Sequence, residues 1–432
     1  MSPKRSLQRS KAKNENRQTS THGRVLRDRP DGIAYGKKKL KGEIMSELIR
    51  IALSPSLFGF GALSKLPDEL RARDFKRILI ITDPEISANG ILDQVLTLLK
   101  GSFDTERFEE VPAEPHSTDV DRQKEKFRSD FDALLAIGGG SCMDFAKALS
   151  ILMTHGGSLG DYVGEGLVPG PVLPVVCVPT TSGTGSQNTQ TTVFTIGGVK
   201  MGCSSEFIRP VFSVVDPELT MRLPPVVTRN TGYDALMHAV ESFIACPHER
   251  VPDRPILYQG SNPFSRGLAL EAFHFIWGSY RHSILDGQDR EARYGMSIGS
   301  HLAGLAFSHS GLGLVHALAS SLGGMIDAPH GVCLAACTNI GLRYNFEACE
   351  KDLAVLAAAM AGGKAKDAAE QFVANMDALI RDVELPSRPS DLGIKKEDAQ
   401  TILEKTLIQT RRIKTNPRQL DEHLLSFIEA GI

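Results

Sequence analysis

The sequence predicts a chain in two parts, an α/β domain built on a parallel sheet followed by an all-α domain. Three observations carry that prediction. Between Met45 and about residue 222, short apolar, β-branched runs alternate with segments of helical pattern: RILIIT at 77–82, ALLAI at 133–137 and LPVVCVP at 173–179. Runs that are apolar on both faces and separated by helices belong to a parallel sheet covered on both sides. Beyond DPELTMRLPPVVTRN (216–230) the strand-like runs give way to LALEAFHFIWGSY, LAVLAAAMAGG and AAEQFVANMDALIRDV, whose apolar residues recur at helical spacing. The change of pattern places the boundary at Leu223–Pro225, with domains of 45–222 and 223–432.

Composition narrows the classes. The 432 residues are 41% hydrophobic and 23% charged, as in soluble globular proteins. The longest apolar runs, such as VLPVVCV at 172–178, fall far short of the ~20 residues a spanning helix needs, so no membrane partner is expected. The near-zero net charge hides an asymmetry: residues 1–44 carry 13 Lys and Arg against 4 Asp and Glu. The remaining chain is mildly acidic and offers no basic face for nucleic acid. The basic head lacks apolar periodicity and any secretory run, and is expected to be a disordered extension. It reads as an inert tail, a polyanion-binding or Arg-rich targeting segment, or the product of a start set upstream of Met45. Seven cysteines without CxxC spacing argue against a disulfide framework and for a reducing compartment, by default the cytoplasm.

Taken in chain order, the first chemical feature is Asp83, at the end of the strand-like ILIIT. An acid there can accept bonds from ribose hydroxyls and repel a 2′-phosphate, although a turn or helix-cap role gives the same residue. Next, ALLAIGGGSCMDFAKAL (133–149) runs a buried strand into Gly138, Gly139 and Gly140 and then a helix near Ser141. Such a turn lets a pyrophosphate approach the backbone and the helix N-terminus. It is not the GxGxxG fingerprint, and a plain tight turn has the same appearance. VPTTSGTGSQNTQTTVF (178–194) follows another strand-like run and is rich in hydroxyls at the edge where open α/β sheets bind ligands; a solvated loop is the alternative.

In TGYDALMHAVESFI (231–244), Asp234 and His238 stand at i and i+4, on one face of a helix and one turn apart. LVHALASSLGGMIDAPHGV (314–332) reads as a helix-like apolar stretch with His316 and, fourteen residues on, His330. Together the four make one hard carboxylate and three imidazoles, a set suited to Fe(II), Zn or a similar divalent ion.

These segments occur in the order found in the iron-containing (group III) alcohol dehydrogenases, which the chain resembles over residues 50–432. The resemblance rests on FGFGALSKLPDEL (58–70), AIGGGSCMDFAKA (136–148), PTTSGTGS (179–186), DPELTMRLPP (216–225), TGYDALMHAVES (231–242), SNPFSRGLALEA (261–272), HLAGLAFSHSGLGLVHALA (301–319), APHGV (328–332) and TNPR (415–418). It implies a Rossmann-like α/β dinucleotide-binding domain and an all-α C-terminal metal-binding domain. By position it implies Asp234, His238, His316 and His330 as metal ligands, with Gly138, Gly139, Gly140, Ser141, Asp144, Thr180, Thr181, Thr184, Lys200 and Asp83 facing the cofactor. NAD is expected over NADP, and iron over zinc.

Departures from the family pattern bear on the catalytic group, taken as His316, Ser320 and His309. Where members carry a histidine four residues after the one matching His316, this chain has Ser320, a small hydroxyl. Gln187 replaces the usual glutamate after GTGS, and His309 stands where an asparagine is usual and is considered as a replacement imidazole. The segment CPHERVPDRPILYQG (246–260) is longer than usual, and is read as a surface insertion or a wall of the pocket mouth. The implied activity is hydride transfer between a nicotinamide cofactor and a small alcohol, aldehyde or ketone, by a homo-oligomer. Alternatives within the fold are a hydroxyacid-oxoacid transhydrogenase, a maleylacetate-type reductase and a lyase of the dehydroquinate synthase kind. A catalytically silent metal- or nucleotide-binding protein is the alternative of another class.

Overall fold

Among the described residues nine strands organise the first half: β1 (Ser56–Phe58), β2 (Arg77–Ile81), β3 (Asp104–Phe108), β4 (Ala133–Gly138), β5 (Gly164–Glu165), β6 (Val175–Pro179), β7 (Thr191–Ile196), β8 (Val199–Ser204) and β9 (Phe212–Val215). They belong to a computed structural model that describes residues 48–127, 130–252, 257–361 and 367–432; the basic head and Met45 lie outside the described residues. The main sheet has the order β1-β9-β6-β4-β2-β3, and every pairing in it is parallel. A small second sheet, β5-β8-β7, contains the antiparallel hairpin β7–β8. Its two-residue turn is Gly197-Gly198, both at positive φ, the backbone that a type I′ turn requires.

Burial on both faces explains why the strands read as unbroken apolar runs. Leu79, Ile81, Leu134 and Ala136 enter one core with Phe145 and Leu149 of the helix that follows β4. Their neighbours Ile78, Ile80, Leu135 and Ile137 enter the opposite core with Leu66, Leu70 and Val95. Each such side chain, withdrawn from water, contributes about 1.5–3 kcal/mol.

The helices used below are α1 (Pro84–Ala88), α2 (Gly140–His155), α3 (Pro225–Ile244), α4 (Pro263–Leu285), α5 (Arg290–Ser310), α6 (Leu314–Ile326), α7 (His330–Ala361) and α8 (Thr410–Ile413). After β9 no described residue belongs to a strand of either sheet, and the chain is helical from Pro225. Tyr233 and Leu236 of α3, Phe273 of α4, Val315 of α6 and Leu334 of α7 share the third core. Among the described residues no single helix is long and apolar enough to cross a membrane.

The expected helix-like stretch through His330 is in fact two helices. α6 stops at Ile326, Asp327 takes a left-handed conformation (φ +50°), and α7 begins at His330, directly after Pro329. Proline lacks the N–H that a continuing helix would need and restricts the residue before it.

The loop 182–190 joins the sheet half to α5. Asn188 Nδ2 donates to the His301 carbonyl (2.8 Å), Gln190 Nε2 to the Ser308 carbonyl (2.7 Å) and Ser300 Oγ to the Gly183 carbonyl (3.2 Å). From the opposite side, the buried Lys147 of α2 grips the same loop: its Nζ donates to Ser186 O (2.6 Å), Ser186 Oγ (2.6 Å), Thr189 Oγ1 (3.0 Å) and Thr191 O (2.8 Å). A buried ammonium is tolerated because its donors are all used, with the Asp144 carboxylate 3.6 Å away.

Lys147→Met keeps the length of the side chain and removes the donors, leaving the buried Asp144 carboxylate without its neighbouring cation. The expected loss is about 3–5 kcal/mol of unfolding free energy, read by chemical denaturation. A loss below about 1 kcal/mol would show that the grip is dispensable.

Candidate metal and dinucleotide site

Three neighbouring parallel strands deliver their carboxyl ends to one edge. β2 runs into Thr82 and Asp83, β4 into Gly138–Gly140, and β6 into Thr180–Thr184. Asp83 caps α1, Oδ1 accepting from the Ile86 amide (2.8 Å), while Oδ2 lies 3.2 Å from Cys142 Sγ beside the glycine turn. Asp83 is thus the helix cap that one reading made it, and it also lines the cavity described next. Gly138 has φ +147°, a backbone that side chains rarely adopt, and the Thr180 amide donates to its carbonyl (3.0 Å). A Cβ at Gly140 would lie 2.5 Å from Thr184 Cγ2, so the two loops can touch only because this residue has no side chain.

A cavity of about 750 Å³ runs from this edge to the helical half. Asp83, Gly139, Gly140, Ser141, Asp144, Thr180, Thr181, Thr184 and Lys200 line it; Gly138 is buried behind the turn and is not in the wall. Asp144 is occupied within the protein: its carboxylate accepts from Ser186 Oγ (2.5 Å) and the Val193 amide (2.9 Å). Lys200 pairs with Glu114, 2.7 Å away.

At the other end, Asp234, His238, His316 and His330 converge. Asp234 Oδ1 lies 3.5 Å from His238 Nε2, 3.5 Å from His316 Nε2 and 3.9 Å from His330 Nε2. Along one straight helix, fourteen residues would separate His316 from His330 by about 21 Å. The break at Asp327–Pro329 folds α7 back instead, and the two ring centres are 5.6 Å apart. Phe307 of α5 stacks on His238 at 4.3 Å and closes one side.

Three of these donors test the fit to an ion. Asp234 Oδ1, His238 Nδ1 and His316 Nε2 are buried without a hydrogen-bond partner, and Asp234, His238 and His316 offer ligand atoms all within 4.8 Å of one another. Buried polar atoms left unpaired are rare, and a shared divalent cation would satisfy Asp234 Oδ1 and His316 Nε2 together. Burial alone would raise the Asp234 pKa, but the three imidazoles outweigh it and hold the carboxyl well below the usual range. Burial pushes His238 down to about 4 and His330 well below the usual imidazole value, so both are neutral near pH 7. Burial acts the same way on His316, but the Asp234 and Glu241 carboxylates beside the ring overcome it and raise the pKa.

Glu241 is the residue that the sequence reading missed. It accepts from His316 Nδ1 (2.5 Å) and from the Val315 (2.7 Å) and His316 (3.2 Å) amides at the start of α6. It fixes the tautomer that aims Nε2 at Asp234, as carboxylates behind ligating histidines do. Its signal was present as the seventh residue after Asp234, two turns along the same helix face.

Ser320, one turn after His316, lines the cavity with Oγ buried and unpartnered. His309 does not reach it. Nδ1 contacts the Leu305 carbonyl (2.7 Å), Nε2 accepts from the Ala52 amide (3.1 Å), and the ring stands edge-on to Phe264. With both nitrogens engaged away from the cavity, His309 supplies no replacement imidazole. Gln187 likewise turns away, its Nε2 3.5 Å from the buried His301. From the long 246–260 segment, Tyr258 lines the cavity.

Comparison with known proteins finds relatives over most of the chain. Residues 54–217 match the family described as iron-containing alcohol dehydrogenase, and residues 228–430 match the C-terminal region of the Fe-containing alcohol dehydrogenase family. Long-chain-alcohol dehydrogenase 1 of Geobacillus thermodenitrificans is 33% identical over 384 residues, 86% of this chain and 94% of that protein. NAD-dependent methanol dehydrogenase of Bacillus methanolicus is 32% identical over 371 residues, 84% of this chain and 94% of the relative. The crystal structure of a 1,3-propanediol oxidoreductase superposes with a TM-score of 0.82 at 31% identity, covering 89% of this chain and all of that one. The chain belongs to the iron-containing alcohol dehydrogenase family.

Proposed function

We propose that this protein interconverts a small alcohol with its aldehyde or ketone, using NAD as the hydride carrier and one divalent ion, Fe(II) in preference to Zn. The observation that carries the reading is the convergence of one carboxylate and three imidazoles, two of their buried atoms facing each other unpartnered, at the end of a cavity whose far wall is the glycine turn. Asp234, His238, His316 and His330 would hold the ion, which when bound supplies the Lewis acidity that makes an alcohol easier to deprotonate. Glu241 keeps His316 in register, and neutral His238 and His330 offer lone pairs without first losing a proton.

The backbone of Gly139–Ser141 and the hydroxyls of Thr180, Thr181 and Thr184 would take the dinucleotide, and the Asp83 carboxylate would face its ribose and disfavour a 2′-phosphate. Residues 45–222 thus act as the cofactor half and 223–432 as the metal half. Lys200 is held by Glu114 within reach of the same cavity. The free Ser320 hydroxyl, beside His316, is the chain's own group for moving a proton between the cavity and water. Seven free, buried cysteines support a reducing compartment.

Replacing His316 or His330 by Ala should empty the ion site and abolish turnover while NAD still binds. Elemental analysis and NADH fluorescence titration of each variant read this, and full metal content in both would defeat the ligand assignment. Glu241→Gln should weaken metal affinity by about 10–100-fold, since the partner behind a ligating histidine has effects of that size; unchanged affinity in a competition with a chelator would remove Glu241 from the site. Comparison of kcat/KM for the two cofactors should favour NAD, and replacing Asp83 by Gly should narrow the difference. A preference for NADP in the unsubstituted protein would overturn the role given to Asp83.

A further inference from the structure

The cavity wall mixes acids with cations, and not all of them are paired. Of its acids, Asp83 is engaged by the α1 amide, Glu114 by Lys200, Asp144 by Ser186 and the Val193 amide, and Asp234 by the imidazoles, while Glu85 is exposed. Of its cations, Lys200 is paired with Glu114 and the exposed Arg222 donates to the Asn89 carbonyl (3.0 Å); two differ. Arg411 and Arg412, on α8, both line the cavity, and among the described residues neither has a carboxylate within 4 Å.

Arg411 is positioned by hydroxyls. Nη1 donates to Ser204 Oγ (2.9 Å), Thr191 Oγ1 (3.3 Å) and Tyr258 OH (3.5 Å), and the guanidinium lies 5.1 Å from the Tyr258 ring centre. Tyr258 itself sits at φ +53°, unusual for a residue with a side chain, and its hydroxyl is bonded to Thr191. Arg412 has even less: Nη1 donates to Gln409 Oε1 (2.5 Å), and Nε is buried with no partner. Burial lowers the Arg412 pKa to about 9, which leaves it charged at neutral pH.

Arg412 lies at the metal end. Asp234, Glu241 and His330 are among the groups that exert an electrostatic effect on it or feel its charge, and α8 packs on α6, the helix of His316 and Ser320. An ion at Asp234 would add further positive charge there. A guanidinium with a buried, unpartnered Nε and no carboxylate in contact is stabilised when an anion enters beside it. The cofactor's pyrophosphate belongs to the glycine turn at the other end, which leaves the substrate.

We infer that the substrate carries an anionic group, a carboxylate, sulfonate or phosphonate, in addition to its alcohol or aldehyde carbon, and that Arg412, with Arg411 beside it, binds that group. Guanidinium presents paired donors that match two adjacent oxygens, which carboxylate, sulfonate and phosphonate all offer, so two arginines select for an oxyanion over a neutral tail. The inference deepens the oxidoreductase reading above and rests on it.

The test uses the full chain loaded with Fe(II) and NADH and four aldehydes on one scaffold: 3-oxopropanoate, sulfoacetaldehyde, phosphonoacetaldehyde and neutral butanal. At least one acidic aldehyde should exceed butanal in kcat/KM, and its identity distinguishes the three anions. In Arg412→Gln the ratio of acidic to neutral kcat/KM should fall by about 10–100-fold, chiefly through KM, the size expected for a lost hydrogen bond to a charged group. Arg412→Lys should retain part of the ratio, and its thermal unfolding alongside that of Arg412→Gln separates loss of recognition from loss of fold. Butanal used as well as every acidic aldehyde, or a ratio unmoved in Arg412→Gln, overturns the inference while leaving the oxidoreductase reading intact. No reduction of any of the four overturns both.

Discussion

A single buried carboxylate sets the terms for the helical half. Asp234 is held inside the protein among three imidazole rings, and a charge in that position must be matched at close range or it unfolds what surrounds it. The match is built from three separate helices. α3 supplies Asp234 and His238 a turn apart, α6 supplies His316 from its first turn, and α7 supplies His330 as its first residue. Glu241 ties the first of these helices to the second by accepting from both a ring and two backbone amides. The nearly complete burial of α3 from Gly232 to Ile244 follows from that demand as much as from its apolar residues.

The sheet half answers a different demand, that a long cofactor and a small substrate meet at fixed separation. Adjacent parallel strands bring three loops to one edge, and loop 182–190 is then fastened to α5 on one side and to Lys147 on the other. Holding reactants this way converts a chance encounter into a fixed geometry, worth roughly 7–11 kcal/mol at best. Stiffness in this loop is therefore part of the chemistry.

Much of this was legible in the sequence, and the remainder was hidden for physical reasons. Unbroken apolar runs such as ALLAIG gave the parallel strands, because a strand buried on both faces leaves no polar alternation. The i, i+4 spacing placed Asp234 and His238 on one face. His330 could be listed but not oriented, since an apolar stretch does not show which way the chain turns at Asp327–Pro329. His309 was misplaced because its residue type suits a cavity, whereas its two nitrogens are taken by backbone groups of Leu305 and Ala52, one of them over 250 positions away in sequence. Arg411 and Arg412 carried no local signal at all, and the length of the 246–260 segment offered a pocket wall as one reading without singling out Tyr258; only the three-dimensional fold brings α8 and that segment to the same wall.

The four side chains around the proposed ion are unequally enclosed. Asp234, His238 and His316 are 5%, 8% and 1% exposed, whereas His330, the first residue after the Asp327–Pro329 break, is 28% exposed. Three donors therefore form an enclosed cup and the fourth stands at its rim. A cation arriving from solvent would reach the enclosed donors past the His330 side, so loading and leakage would share one doorway at the start of α7.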